Sequence, residues 1–217
     1  MIMAAVFARV RRVAFLVAGL ASLTGCAGLD TLRSVTEPTD LYDLTPKSTY
    51  AADLPRISAQ IVIEEPTAAS SVNTDRIAIK PNPYQVQYFP QARWVDRAPL
   101  LVQTMLLESF ENTGKVGAVG RQAIGLSSDY TLLTELREFQ AALDGGETGP
   151  ITVIVQLNMK IVQEPLGLIV ASQSFAHRET AASSEMLSVV AAFDTALGKT
   201  MGQTVDWAVR RIAQITN

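Results

Sequence analysis

Few side chains in this sequence could do covalent or acid–base chemistry, and they are scattered. Cys26 is the single cysteine and His177 the single histidine. A catalytic histidine needs a nucleophile and an orienting carboxylate within reach. Ser172, Ser174, Arg178 and Glu179 lie near it in the chain, but no G-x-S-x-G elbow occurs anywhere. Glu64 and Glu65 look like a carboxylate pair, yet adjacent residues on a strand point to opposite faces, so they are expected to be solvated. Asp75 and Arg76 are expected to pair or to cap the turn before a strand. Gly114, Gly117 and Gly120 are followed by no Lys-Ser/Thr, so they make no phosphate loop. With one cysteine there is no disulfide and no cysteine metal site within the chain. The expectation is no catalytic residue, no metal and no cofactor; an envelope hydrolase needs Ser172 or Ser174 against His177.

Cys26 is different because of what precedes it. Arg9, Arg11 and Arg12 stand before an apolar run from Val13 to Ala21, and Leu23-Thr24-Gly25 leads into the thiol. The run is shorter than the ~20 residues needed to span a bilayer and reads as the core of a secretory leader. The small residues before Cys26 resemble the lipobox of bacterial lipoproteins. That resemblance implies a diacylglycerol on the Cys26 sulfur, cleavage after residue 25 and, in most cases, a further acyl chain on the new amine. One acyl chain holds a protein only marginally, at ~0.8 kcal/mol per buried CH₂, whereas two or three hold it stably. Ala27 is not the aspartate that retains such proteins at the inner membrane in enterobacterial-type sorting, so the expected location is the periplasmic face of the outer membrane, with inner-membrane anchoring as the alternative.

The expected organisation is therefore a leader over 1–25, a lipidated tether over 26–40 and one domain over 41–217. Residues 1–25 hold three arginines and no acid, so the remaining 192 residues carry 15 cations against 21 acids, a net charge of −6. That balance offers neither a footprint for nucleic acid nor a polybasic patch for anionic headgroups.

Within the domain, Leu41-Tyr42-Asp43-Leu44 is a short strand candidate. Ile57, Ala59, Ile61 and Ile63 alternate with polar neighbours as a half-buried strand does. Residues 77–80 and 84–89 read as two further strands, with Lys80-Pro81-Asn82-Pro83 as the turn between them. A helix is expected from an N-cap at Asp96, through Pro99 in its first turn, to a stop at Gly114. Val116 to Val119 is a strand. Tyr130 to Leu143 fits either period, but the alternating residues 151–161 that follow Asp144-Gly145-Gly146 favour a long hairpin. Glu164-Pro165-Leu166-Gly167 then turns the chain into residues 168–176 and completes a meander. From Ser184 to Ile212 the stripe Val190, Phe193, Leu197, Met201, Val205, Ala208 and Ile212 is helical. Gly198 and Gly202 share one face of that helix, as they do where another backbone approaches closely. The aromatic group Tyr84, Tyr88, Phe89 and Trp94 is the candidate partner-binding surface, since aromatics concentrate at interfaces; the competing reading is a patch covering the first helix.

Many short segments in order carry a wider likeness. They include Tyr42-Asp43-Leu44, Thr74-Asp75-Arg76-Ile77-Ala78-Ile79, and Tyr88-Phe89 with Ala92-Arg93-Trp94-Val95-Asp96. Val119-Gly120-Arg121, Asp129-Tyr130-Thr131-Leu132, Leu136-Arg137-Glu138-Phe139, Phe175, Ala191-Ala192-Phe193-Asp194, Ala196-Leu197 and Val205-Asp206-Trp207 follow. Behind a lipobox, their order and spacing resemble the ABC-type transport auxiliary lipoproteins, the PqiC-like family. The resemblance implies an α+β fold, a mixed, largely antiparallel sheet covered by two helices like the TolB amino-terminal domain. It also implies a non-enzymatic accessory role beside an ABC permease and ATPase and a mammalian-cell-entry (MCE) domain protein, moving lipid or other hydrophobic compounds. A homo-oligomer is a further expectation. The alternative function is a stand-alone periplasmic lipid-binding lipoprotein with its ligand between sheet and helices.

Overall fold

The computed structural model describes residues 38–121, 127–146 and 149–216. Cys26, the expected leader and nearly all of the expected tether lie outside them. The long central hairpin organises everything else. Strand β7 (Tyr130–Leu143) pairs antiparallel with β8 (Ile151–Gln163), and β8 pairs antiparallel with β9 (Leu168–Thr180), so the expected meander forms. The last strand runs four residues beyond the expected end at Ala176.

The other edge of β7 is shared. Strand β2 (Ile57–Ile63) lies parallel to its beginning at residues 130–132, β3 (Thr67–Ala68) at 135–136 and β4 (Arg76–Asn82) at 141–142. Beyond β2 lies β6 (Val116–Arg121), and beyond β4 lie β5 (Gln85–Trp94) and β1 (Asp40–Tyr42). The result is one mixed sheet whose long ladders are antiparallel and whose short ones are parallel. Helices α1 (Ala98–Asn112) and α2 (Met186–Thr216) complete the α+β fold. No helix among the described residues is long and apolar enough to cross a membrane.

One face of the sheet is buried beneath the helices. Val153, Val155, Leu157, Met159 and Ile161 of β8 are fully buried, as the alternation required, and meet Phe193, Leu197, Met201, Val205 and Ala208 of α2. At ~25 cal/mol per Å² of apolar surface, this contact is the main source of stability. Lys160 and Glu135 lie exposed on the other face. The α2 stripe begins at Val189, not Val190: Val189 is fully buried, whereas Val190 only packs at its margin.

Four local expectations are corrected. Arg97, not Asp96, is the N-cap of α1 and makes no side-chain cap bond; Asp96 instead accepts the Arg97 amide at 2.7 Å. The helix still ends as expected, with Gly114 at φ +57°, a conformation that costs glycine little. Lys80, Pro81 and Asn82 belong to β4, so the turn is only Pro83-Tyr84 and β5 starts at Gln85. No backbone approaches the α2 glycines: a Cβ at Gly198 would meet nothing within 4 Å, and one at Gly202 would meet only the Lys47 side chain.

Between β1 and β2 the chain crosses both helices as a strap. The Thr45 hydroxyl donates to Asp194, the Lys47 amide donates to Ser109 Oγ, and Asn112 donates to the Lys47 carbonyl. Leu44 and Leu54 anchor the strap in the core.

Candidate functional site

The four aromatic residues predicted to form one surface are separated by the backbone of β5. The β4–β5 ladder passes from Ala78↔Tyr88 to Arg76↔Arg93, two steps on β4 against five on β5. The extra residues form a bulge at Pro90-Gln91, where Gln91 has φ 54° and proline's missing N–H is tolerated. An odd number of inserted residues reverses the alternation, so Tyr88 and Trp94 face opposite sides of the sheet. Trp94 is 2 % exposed and packs edge-on against Phe193 at 5.0 Å between centroids, with Phe139 at 5.6 Å. It is a core residue and presents no surface to a partner. Phe89 packs against the core margin. Tyr88 is half-buried on the outer face; its hydroxyl donates to the Ser71 carbonyl at 3.2 Å and its ring lies 3.6 Å beneath the Arg76 guanidinium. Tyr84, at the hairpin tip, is 98 % exposed. Tyr84 is thus exposed, Tyr88 and Phe89 are half-buried, and Trp94 is buried.

The charged candidates are used structurally. Asp75 binds Arg93, not Arg76, with both carboxylate oxygens within 3.0 Å of one guanidinium nitrogen. Glu65 pairs with Arg97 at 2.7 Å, and the same arginine donates to Asn73, so α1's first turn is tied to the loops after β2. These pairs are exposed, and such pairs contribute about 0–1 kcal/mol each. Gln103, which the sequence reading did not single out, is buried and donates to the Ile63 carbonyl at 2.9 Å, fastening α1 to β2.

His177 does not assemble a triad. On β9, odd-numbered residues such as Phe175 and His177 face α2, while Ser172 and Ser174 point to the other side. His177 Nδ1 lies 3.3 Å from Thr200 Oγ1, whose hydroxyl donates to the Ala196 carbonyl and so can accept from Nδ1–H. Ser174 accepts a hydrogen bond from Asn158. Burial, then the neighbouring Lys199, hold the imidazole below its ordinary pKa against the opposing pull of Glu179. Tyr50 is pushed up to about 12 by burial, against a lowering interaction with Ser109. No group of three or more His, Cys, Asp or Glu among the described residues could hold a metal.

Between sheet and α2, where the alternative reading places a ligand, the described residues pack the side chains named above into one core. Clefts open at the surface. One of about 550 Å³ lies between β9 and the last turns of α2, lined by Gln173, Asp206, Trp207, Arg210 and Arg211 among others. A second, of about 400 Å³, continues from Asp206 past His177 to Lys47 and Tyr50.

The described residues thus form a scaffold of one α+β sheet with a helix-covered face and a strap over both helices. Comparison with known proteins gives that scaffold a family. The family model described as the ABC-type transport auxiliary lipoprotein component matches residues 41–204. The crystal structure of a Xanthomonas campestris protein, from a domain family of unknown function, superposes with a TM-score of 0.77 at 27% identity, over 82% of this chain and 98% of that one. The crystal structure of another uncharacterised protein has the same fold, with a TM-score of 0.57 at 14% identity over 83% of this chain and all of that one. An uncharacterised protein of Bradyrhizobium diazoefficiens is 33% identical over 201 residues, 88% of this chain and 52% of that protein. The chain thus spans about half the length of the curated relative it matches. The chain belongs to the ABC-type transport auxiliary lipoproteins, the PqiC-like family. The description of that family names ABC-type transport.

Proposed function

We propose that this protein is a lipid-anchored, non-enzymatic accessory subunit that docks the periplasmic part of an ABC/MCE-type transport assembly at the outer membrane, for movement of lipid or other hydrophobic compounds. The observation that carries this reading is the family match over residues 41–204 behind a lipobox-like Leu23-Thr24-Gly25-Cys26. Cys26 bears the lipid, which takes the place of a membrane helix. The acidic, strapped domain supplies rigid surface, and no residue in it is asked to do chemistry.

Two measurements test the reading. Affinity purification of the full chain from membranes in mild detergent recovers a permease, an ATPase and an MCE-domain protein; recovery of none of them rejects the docking role. Fractionation of Cys26→Ser finds the protein in the soluble periplasm. If it stays with the membrane, the anchor is not at Cys26.

A further inference from the structure

The sheet leaves one long edge unpaired. Among the described residues β9 pairs only with β8, so the opposite side of a 13-residue strand carries no partner strand. The ladder shows which groups are free. The Ala181 amide donates to the Ile151 carbonyl beside the Thr152↔Thr180 pair, so odd-numbered residues of β9 bond to β8. The N–H and C=O groups of Ser172, Ser174, Ala176 and Arg178 therefore point outward. An edge of this kind is a template for another strand, and natural edges are usually blunted by proline, lysine or brevity. Between Leu168 and Thr180 there is neither proline nor lysine.

Beside this edge runs the cleft against α2. Trp207 stacks edge-on with Phe175 at 5.5 Å and forms its wall. Its charges are unequal. The carboxylates Asp53 and Asp206 are held by Arg210, and Glu179 is held by Lys199. Arg211 donates only to the neutral Gln214, and Lys47 has no ion pair among the described residues. Because Arg210 faces two carboxylates, the named groups leave one excess cation across the adjoining clefts, in a chain of net charge −3.

We propose that the open edge of β9 and its cleft against α2 receive an extended, acidic segment of a partner protein, added to the sheet as a further strand. Main-chain hydrogen bonds to residues 172–178 supply affinity, and alternate side chains reaching Trp207 and Arg211 supply selectivity. A second copy of β9 is the poorer occupant, because its only acid, Glu179, is already held by Lys199. The proposal rests on the accessory-subunit reading only for the source of the partner.

The test is direct binding to the full chain in detergent, read by fluorescence anisotropy of a labelled, capped octapeptide of alternating valine and glutamate. Three controls accompany it: the valine–lysine counterpart, the acidic peptide N-methylated on alternate residues, and the protein variants Ala176→Pro and Arg211→Glu. Proline at 176 removes an outward N–H and leaves the β8 ladder intact. The acidic peptide binds, its N-methylated form and Ala176→Pro abolish binding, and Arg211→Glu weakens it about tenfold. No binding of the acidic peptide, equal binding of the basic one, or indifference to Ala176→Pro and to N-methylation each overturns the proposal. So does a fall in oligomer size caused by Ala176→Pro without peptide, which assigns the edge to a second copy. Transporter recovery in the purification above is a separate readout: it can succeed through another surface while this proposal fails.

Discussion

Trp94 and Tyr84 stand near opposite ends of one strand, and the fold uses them in opposite ways. Trp94 closes a three-ring cluster with Phe139 and Phe193, whose centroids lie 5.1 Å apart, beneath α2. Tyr84 caps the turn of the β4–β5 hairpin and touches almost nothing, its amide held by Asn82 Oδ1 at 3.1 Å. The two differ because Trp94 lies where α2 covers the sheet, whereas Tyr84 lies at a hairpin tip where residues 84–87 are exposed whichever way they face. An aromatic residue near a proline-rich turn therefore says little about interfaces until its place in the sheet is known.

The contrast breaks most easily at the buried end. Trp94→Ala is expected to cost about 3–5 kcal/mol, read as a lower urea midpoint for the detergent-free Cys26→Ser chain. A loss below 1 kcal/mol would mean that the ring cluster is not packed as described. Thr134 sharpens the same point with the opposite sign. Its hydroxyl is buried without a hydrogen-bond partner, so Thr134→Val is expected to stabilise by about 1 kcal/mol in the same titration. Between the extremes lies Tyr88, whose contact with Arg76 is partly exposed. Arg76→Ala should cost about 0.5–1 kcal/mol in wild type and close to nothing in a Tyr88→Leu background, the signature of a cation–π pair. Tyr84→Ala should leave stability within about 0.5 kcal/mol, so any loss of transporter co-purification in that variant reports contact rather than folding.

The smallest effect concerns His177. Its folded pKa is lowered, so the unfolded chain binds the proton more readily. The neutral ring's contribution to stability is in place above the ordinary value near 6.5 and is lost as pH falls from there through the folded value. His177→Gln should flatten that decline as pH falls below about 6.5. An unchanged slope would place the effect on other groups.

Much of the fold was legible because periodicity reports burial. The β8 alternation, the α2 stripe and the Gly114 stop each match the structure to within a residue or two. Tyr130 to Leu143 was ambiguous for a physical reason. The ladder skips Arg137, passing from Leu136↔Leu157 to Glu138↔Gln156, so Leu136 and Phe139 both reach the core at the three-residue spacing of a helix. Trp94 is separated from Tyr88 for the same reason: bulges change facing without changing composition. Sequence shows adjacency, so Asp75 and Arg76 read as a pair or a turn cap, while the actual partner of Asp75, Arg93, arrives across a strand pair.

By itself the sequence determined the element order, the covered face of the meander and the absence of a nucleophile elbow, because these depend on local pattern and residue type alone. Only the tertiary structure decided that β7 carries β2, β3 and β4 along one edge, that Trp94 points inward, and that β9 is left open. Those outcomes depend on register and on which strand lies beside which, and they are set by long-range pairing energies that no short window of residues contains.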